Sequence, residues 1–283
     1  MRPQPAEEYF GSEHTTVIRP SRGWRLPNFR ELWAYRQIFS ALAARDIKVR
    51  YKQTVLGVAW AVLQPLATMA LFTLIFGRFA KIPSEGYPYA IFVYAGLLPW
   101  NLFATIVGTS ANSLVGSAAL VTKVYFPRLL LPAASLGSAL VDFLVATTIL
   151  LALMLFYGVG WTLNLLMVPV LVGLVMITAL GVGTVLSALI VTYRDIRFVI
   201  PFLVQLWMFA SPVIYPPAMI PEGFRWLLVL NPMTGAIDGF RSAFLGKPFD
   251  LVALGVSFGL ALVFLLVGVT YFNKVEENFA DVI

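Results

Sequence analysis

Cysteine is absent from the 283-residue sequence, histidine occurs once, at His14, and only 12% of the residues are charged. Without cysteine there is no disulfide framework, no thiolate nucleophile and no cysteine-based metal site. The single histidine lies in a polar stretch, which argues against a zinc site. Soluble domains carry about 25% charged residues, so the scarcity of charge predicts a protein that is not soluble.

The sequence also lacks the features of a protein that binds nucleic acids or nucleotides. The net charge of +6 does not indicate a nucleic-acid partner, because half of the 20 Lys and Arg residues precede Gly57. The pattern G-x-x-x-x-G-K-[ST], which cradles nucleotide phosphates, is missing, since Gly246-Lys247 is followed by Pro248. The sequence therefore predicts no ATP-binding loop and no cofactor in this chain.

Long apolar runs dominate the sequence, of which 59% is hydrophobic. A hydrocarbon layer about 30 Å thick needs about 20 apolar residues at a rise of 1.5 Å per residue. The longest charge-free run breaks at the turn-rich Tyr157–Trp161. We predict an all-α integral membrane protein with six transmembrane helices, near residues 57–77, 89–110, 133–157, 165–191, 198–215 and 251–272.

The distribution of positive charge predicts the orientation of these spans. With both termini in the cytoplasm, 15 of the 20 Lys and Arg residues fall on the inner side. Cytoplasmic loops of membrane proteins carry such an excess. We therefore expect a multi-pass protein of the inner (plasma) membrane with both termini cytoplasmic.

The region before the first span divides into two parts. Residues 1–28 are polar and are predicted to be a cytoplasmic N-terminal tail. Residues 29–52 are predicted to form an amphipathic interfacial helix and its connector. The predicted six-span transmembrane domain then covers 53–283. An amphipathic helix can lie in the membrane interface. The alternative is a helix packed on a partner subunit. The apolar arc of the predicted amphipathic helix consists of Phe29, Leu32, Trp33, Tyr35, Ile38, Phe39 and Leu42.

The segment from Pro216 to Pro248 is too apolar for a plain loop and too interrupted for a span. Asn231-Pro232 is typical of an N-cap and first helical residue, and Gly246 of a C-terminal stop. About 14 helical residues, about 21 Å, are too few to cross the membrane. We predict two short re-entrant helices before the last span.

Four motifs at the predicted membrane edges carry a family resemblance. In chain order they are RDIKVRYKQTVLGVAWAVLQPL (45–66), KVYFPRLLLP (123–132), YRDIRFVIPFLVQLWMFASPVIYP (193–216) and NPMTGAIDGFRSAFLG (231–246). In this order and spacing they closely resemble the permease subunits of ABC transporters that export polysaccharides and polyol phosphates, including O-antigen, capsule and teichoic acid exporters. The resemblance covers nearly everything from Phe29 to the C-terminus.

The resemblance implies a homodimer of six-span permeases docked on two ABC nucleotide-binding subunits, which supply ATP and Mg. It implies export of a lipid-linked, O-antigen-like polysaccharide from cytoplasm to periplasm, with membrane lipids as surroundings. Teichoic-acid-type polymer, capsule, or another lipid or drug are the alternative substrates. The rival from another class is a polyprenyl-dependent membrane enzyme, which would need clustered carboxylates or histidines that the sequence does not offer. The chain itself is expected to perform no covalent chemistry.

Two predicted inner loops are candidates for coupling to the ATPase. In the resembled family the first is a coupling helix, and an aromatic anchor flanked by cations suits such a contact. The alternative for the first loop is that Lys123 and Arg128 only follow the excess of positive charge on the cytoplasmic side. The alternative for the second loop is a local Arg–Asp pair that fixes the ends of helices. The first set is Lys123, Tyr125, Phe126, Pro127 and Arg128, with the aromatics predicted to be exposed; the second is Arg194, Asp195 and Arg197.

Aromatic residues in spans one and five are candidates for the substrate path, because sugar rings present apolar C–H faces that stack on aromatic rings. In the resembled family these two spans line the path. The alternative is lipid-facing Phe and an interfacial Trp and Tyr belt, to which Trp100 is assigned. The candidates are Trp60, Phe72, Phe76, Phe202, Trp207, Phe209 and Tyr215.

Asp142 is the only carboxylate well inside a predicted span. Such a residue is a functional candidate, as a proton carrier or a substrate contact. The alternative, which we favour, is a hydrogen bond to a Ser, Thr, Asn or Tyr inside the bundle.

Overall fold

The computed structural model describes residues 29–52, 57–276 and 279, which form helices joined by loops and contain no strand. The predicted tail over 1–28 lies outside these described residues. The principal helices are α1 (Phe29–Ala34), α2 (Arg36–Lys52), α3 (Gly57–Phe72, extended by a π-helical segment Thr73–Phe79), α4 (Tyr89–Gly116), α5 (Ala118–Lys123), α6 (Leu130–Phe156), α7 (Val168–Thr192), α8 (Ile196–Ala210), α9 (Arg225–Val229), α10 (Pro232–Leu245) and α11 (Leu251–Val275). Short 3-10 turns cover Leu163–Met167, Pro217–Met219 and Glu222–Phe224.

Among the described residues, five helical stretches are long and apolar enough to cross a membrane: Ala59–Phe79, Tyr89–Gly116, Leu130–Phe156, Leu163–Thr192 and Leu251–Val275. They agree with five of the six predicted spans, so the multi-pass architecture is confirmed. The remaining prediction, 198–215, corresponds to α8, which has 15 residues and a length of about 22 Å. A sixth crossing therefore stays a prediction.

The core of the bundle is built around α4, which packs against α6, α7 and α10, while α11 packs on α7 and α10. Small residues allow these close approaches. A Cβ atom at Gly183 of α7, for example, would stand 2.6 Å from Ser110 Cβ of α4. Helices α3 and α8 both contact α4 and leave much of their surface open.

The loops lie at two opposite ends of the bundle. An apolar cluster at one end joins Leu42, Leu114, Phe126, Ala188 and Phe272, so α2, the first predicted inner loop and the ends of α4, α7 and α11 meet there, and the second predicted inner loop follows directly on α7. At the other end Glu85 pairs with Lys247 and the Tyr87 hydroxyl donates to the Leu245 carbonyl at 2.5 Å. Burial lowers the pKa of the Lys247 ammonium. This separation of the loops agrees with the predicted alternation, while the side that faces the cytoplasm stays a prediction.

The predicted amphipathic segment packs on the bundle. Helix α2 lies along α6, and a Cβ at Gly137 would stand 3.1 Å from Ala43 Cβ. Leu42 is buried, and Leu32, Tyr35, Ile38 and Phe39 pack on the same apolar cluster, whereas Trp33 is exposed. Much of the apolar arc thus faces protein, and a position in the membrane interface stays a prediction.

The predicted short helix before the last span has the expected bounds. Helix α10 runs from Pro232 to Leu245, the Asn231 Oδ1 accepts from the Met233 N–H at 3.0 Å, and Gly246 adopts φ 73°. Its companion α9 has five residues. Their re-entrant placement in a bilayer stays a prediction.

Candidate functional site

The first predicted coupling loop contains one exposed and one buried aromatic residue. Phe126 is 4% exposed, because its ring fills the apolar cluster between the ends of α2, α4, α7 and α11. The prediction of an exposed Phe126 is therefore wrong, and Pro127 beside it is half-buried. Lys123, Val124 and Tyr125 are the residues that present an open surface.

Arg128 ties this loop to the end of α11. Its backbone N–H donates to Glu276 Oε1 at 3.1 Å, and its guanidinium donates to the Glu276 carbonyl. Burial and the nearby Glu31 carboxylate raise the pKa of the Tyr125 hydroxyl. Through Arg128 the loop is thus tied to the end of α11, a contact that the family role of Arg128 did not require.

The second predicted coupling loop is exposed over Tyr193–Phe198 except for half-buried Ile196. The Arg197 guanidinium lies over the Phe198 ring, 4.6 Å from its centroid. Within the described part of the chain Asp195 forms no ion pair with Arg194 or Arg197. The local Arg–Asp pair is therefore not formed, and the loop presents cations and aromatic rings to its surroundings.

The predicted substrate-path aromatics divide into open and packed groups. Trp60 on α3 is 58% exposed, and Phe202 and Phe209 on α8 are exposed as well. Phe72 is 8% exposed and meets the half-buried Phe76 edge to face at 5.5 Å. Exposure alone makes the first group available to a transported molecule, and the role of all seven stays a prediction.

Trp207 and Tyr215 belong to the packed group. The Trp207 Nε1–H donates to Asn231 Oδ1 at 3.1 Å, and its ring meets Phe103 at 5.0 Å and Phe264 at 6.5 Å. The Tyr215 hydroxyl donates to the Phe209 carbonyl at 3.2 Å. Trp100, predicted to be a belt residue, is 3% exposed and lies in the core beside Phe103, so that assignment is wrong.

Asp142 on α6 is bound by two side chains from α2. Arg50 Nη2 lies 2.5 Å from Asp142 Oδ2, and the Tyr51 hydroxyl donates to Asp142 Oδ1. The hydrogen bond from Tyr51 is of the kind that we predicted from the sequence, whereas the ion pair with Arg50 was not predicted. A partly enclosed ion pair of this kind holds α2 against the middle of α6.

Arg241 of α10 is the residue that the sequence analysis missed most clearly. Its side chain is fully buried and donates to the carbonyls of Val213 at 2.6 Å and Tyr215 at 3.4 Å. Its guanidinium also lies over the Phe92 ring at 3.8 Å. Buried charge needs such partners, and a charged arginine within a short helix flanked by apolar phenylalanines, Phe240 and Phe244, was the available signal.

Comparison with known proteins places this bundle in a family. Residues 37–245 match the family model of the ABC-2 type transporter membrane domain. The chain belongs to this family, whose members are transport permeases that work with ATP-binding subunits.

Several relatives are similar over most of their length. The O-antigen export system permease protein RfbA of Myxococcus xanthus is 33% identical over 89% of this chain and 97% of its own. Its namesake from Klebsiella pneumoniae is 27% identical over 84% and 92%. The polysialic acid transport protein KpsM of Escherichia coli is 25% identical over 84% and 93%.

Proposed function

We propose that this chain is the transmembrane permease subunit of an ATP-driven exporter that moves a lipid-linked, O-antigen-like polysaccharide from cytoplasm to periplasm. The observation that carries the proposal is the 33% identity, spanning 97% of an O-antigen export permease, in a chain that folds as a multi-pass bundle. Capsular polysaccharide is the second candidate substrate, because the polysialic acid transport protein is 25% identical over 93% of its length.

The assembly that we propose is a homodimer with two nucleotide-binding subunits in the inner membrane. Exposed Lys123, Tyr125 and Arg197 share one end of the bundle and offer a surface on which such subunits can dock. ATP and Mg would be held by those subunits. Support for a second copy comes from α3 and α8, whose open apolar faces need either lipid or protein as cover.

The test of function is complementation. A strain that lacks its own permease should regain surface polysaccharide when this chain is supplied with its nucleotide-binding partner, and should not when either is omitted. Restored membrane insertion without polysaccharide at the surface would contradict the proposal.

The test of orientation uses the absence of cysteine, because introduced thiols can be labelled without background. Ser84→Cys should react with an impermeant maleimide in spheroplasts, whereas Ser21→Cys should not. The opposite pattern would reverse the proposed topology.

A further inference from the structure

A cavity of about 260 Å³ lies between α2, α3, α4 and α6. Its polar lining residues are Arg50, Gln64, Asn101, Thr105 and Asp142. Asn101 and Asp142 stand near the middle of two long helices, α4 and α6. The cavity, called here the mid-membrane cavity, is therefore at the depth of the hydrocarbon layer.

Three polar side chains in this cavity have no partner among the described residues. No hydrogen bond joins the side chains of Gln64, Asn101 or Thr105 to that part of the protein. Their neighbours on α4 behave differently, since Thr109 Oγ1 donates to the Thr105 carbonyl at 2.6 Å and Asn112 Nδ2 to the Gly108 carbonyl at 2.8 Å. Polar groups at membrane depth must be satisfied, so the cavity has to contain water or a polar ligand.

The chemistry of the lining suits hydroxyl groups. Arg50 and Asp142 neutralise each other, so the site favours neither an anion nor a cation. Amide, hydroxyl, guanidinium and carboxylate groups together offer both donors and acceptors. The rest of the lining includes apolar Pro65, Leu98 and Phe143, which can cover the C–H face of a ring.

The position of the cavity connects it with an exposed aromatic ring. Trp60 precedes Gln64 by four residues on α3, so both side chains lie on one face of that helix.

The volume of the mid-membrane cavity is that of about nine water molecules at ~30 Å³ each. This volume is comparable to that of one sugar ring.

We propose that the mid-membrane cavity binds a single sugar unit of the transported glycan through Gln64, Asn101 and Thr105, with the Arg50–Asp142 pair as its polar wall. This inference rests on the proposed function and assigns the place where one protomer holds its substrate. Water alone in the cavity, or a second copy of the chain filling it, are the outcomes that the experiments must separate from sugar binding.

The first experiment compares isosteric substitutions in the complementation assay, with the full chain and its nucleotide-binding partner. Asn101→Leu and Thr105→Val should each lower surface polysaccharide per permease about fivefold, the effect of losing roughly one hydrogen bond. Thr105→Ser, which keeps the hydroxyl, should retain most export. The matched control is Thr148→Val on the exposed side of α6, whose hydroxyl donates to the Val145 carbonyl at 2.8 Å; it should be silent.

The outcomes separate the two proposals. If the parent chain restores no polysaccharide, the proposed function fails. If the parent restores it and Asn101→Leu and Thr105→Val do so equally well, the sugar site alone is overturned. If those variants lower export only by dissociating a permease dimer, as size-exclusion chromatography would show, a second copy fills the cavity and the sugar site is likewise overturned.

The second experiment tests the cavity without relying on transport. Asn101→Cys in membrane vesicles should react with a water-soluble methanethiosulfonate reagent, whereas Thr148→Cys should react at least about tenfold more slowly, because thiolates form and react in water rather than among lipid chains. Equal, slow reaction at both positions would show that no wet cavity exists at Asn101 and would overturn the inference.

Discussion

Helices α4 and α3 have the same mean hydropathy but opposite surroundings. In the most apolar 18 residues of each, 83% are buried in α4 and 6% in α3. Helix α4 is enclosed by α6, α7 and α10, whereas α3 contacts α2, α4 and α6 on one side only. Apolar composition therefore indicates that a helix enters a membrane, but it does not indicate whether protein, lipid or substrate covers it.

This difference makes distinct predictions for the two regions. Around α4 the constraints are steric and polar, so substitutions there should change the stability of the chain. On α3 and the exposed loops the constraints come from molecules outside the protomer. Substitutions there should change transport or assembly while the chain stays folded.

The largest loss of stability is expected for Arg241→Leu. The change leaves the buried carbonyl of Val213 and the half-buried carbonyl of Tyr215 without their donor, and an unsatisfied buried group costs about 1–3 kcal/mol. The purified protein should melt well below the parent or fail to accumulate in membranes. Arg225→Leu, at an exposed arginine of α9, is the control and should behave like the parent. Equal thermal stability of both variants would contradict the role of Arg241.

The next effect concerns the close approach of α4 to the segment after α8. A Cβ at Gly96 would stand 2.9 Å from the Val213 carbonyl oxygen and 3.0 Å from Arg241 Nη2. Gly96→Ala should destabilise the protein by about 1–3 kcal/mol through overpacking. Gly108→Ala in the same helix adds a methyl group in open space and should be neutral or slightly stabilising. Thermal unfolding in detergent would compare the two, and equal melting would refute the steric argument.

Features governed by local chemistry could be predicted from the sequence. The bounds of α10 follow from Asn231-Pro232 and Gly246, and five spans follow from uninterrupted apolar runs. Within the predicted fifth span, 198–215, the helix α8 ends at Ala210. Ser211 precedes Pro212 and adopts an extended conformation, as the residue before a proline generally does.

Features governed by tertiary packing could not be predicted in the same way. Arg50 and Asp142 are 92 positions apart, and the sequence around either residue does not predict that the two form an ion pair. Phe126 looks like a loop residue because it lies between Tyr125 and Pro127, yet its burial depends on α2 and α11 arriving at the same place. Pairing and burial at these sites are properties of the assembled bundle.

A smaller loss of stability is expected where α2 meets α6. Asp142→Asn keeps an acceptor for Tyr51 but leaves Arg50 without its counter-ion. Because the Arg50 side chain is 39% exposed, solvent screening limits the cost to about 1 kcal/mol. The double variant Arg50→Gln with Asp142→Asn should recover part of that loss, as a coupled pair does. Additive losses in thermal unfolding would show that the pair does not interact.

No loss of stability is expected from changes in the exposed part of the first coupling loop. Lys123→Glu with Tyr125→Ala should leave the permease in the membrane but weaken its complex with the nucleotide-binding subunit by about 2 kcal/mol or more, if these side chains anchor the contact. Co-purification and ATPase activity of the complex measure this effect. Phe126→Ala is the contrasting variant, because its ring is buried and its truncation should reduce the amount of folded permease instead. An unchanged complex with the double variant would remove Lys123 and Tyr125 from the proposed docking surface.

The smallest effect on the chain itself is expected at Trp60, which tests whether the open face of α3 meets substrate. A ring that faces only lipid can become leucine at little cost, since leucine is equally suited to acyl chains. A ring that stacks on sugar cannot, because a branched aliphatic offers no flat face, and stacking contributes about 1 kcal/mol. Trp60→Leu should therefore lower surface polysaccharide per permease about fivefold at unchanged protein level.

Phe264 is unsuitable as the lipid-facing control for this comparison, because it is half-buried and contacts Trp207. Phe156 is suitable, since it is exposed at the far end of α6 and contacts only the neighbouring Tyr157 among aromatic rings of the described residues. Phe156→Leu should be silent. If Trp60→Leu is equally silent, the exposed face of α3 is covered by lipid or by the second protomer, and the burial contrast between α3 and α4 carries no information about the substrate path.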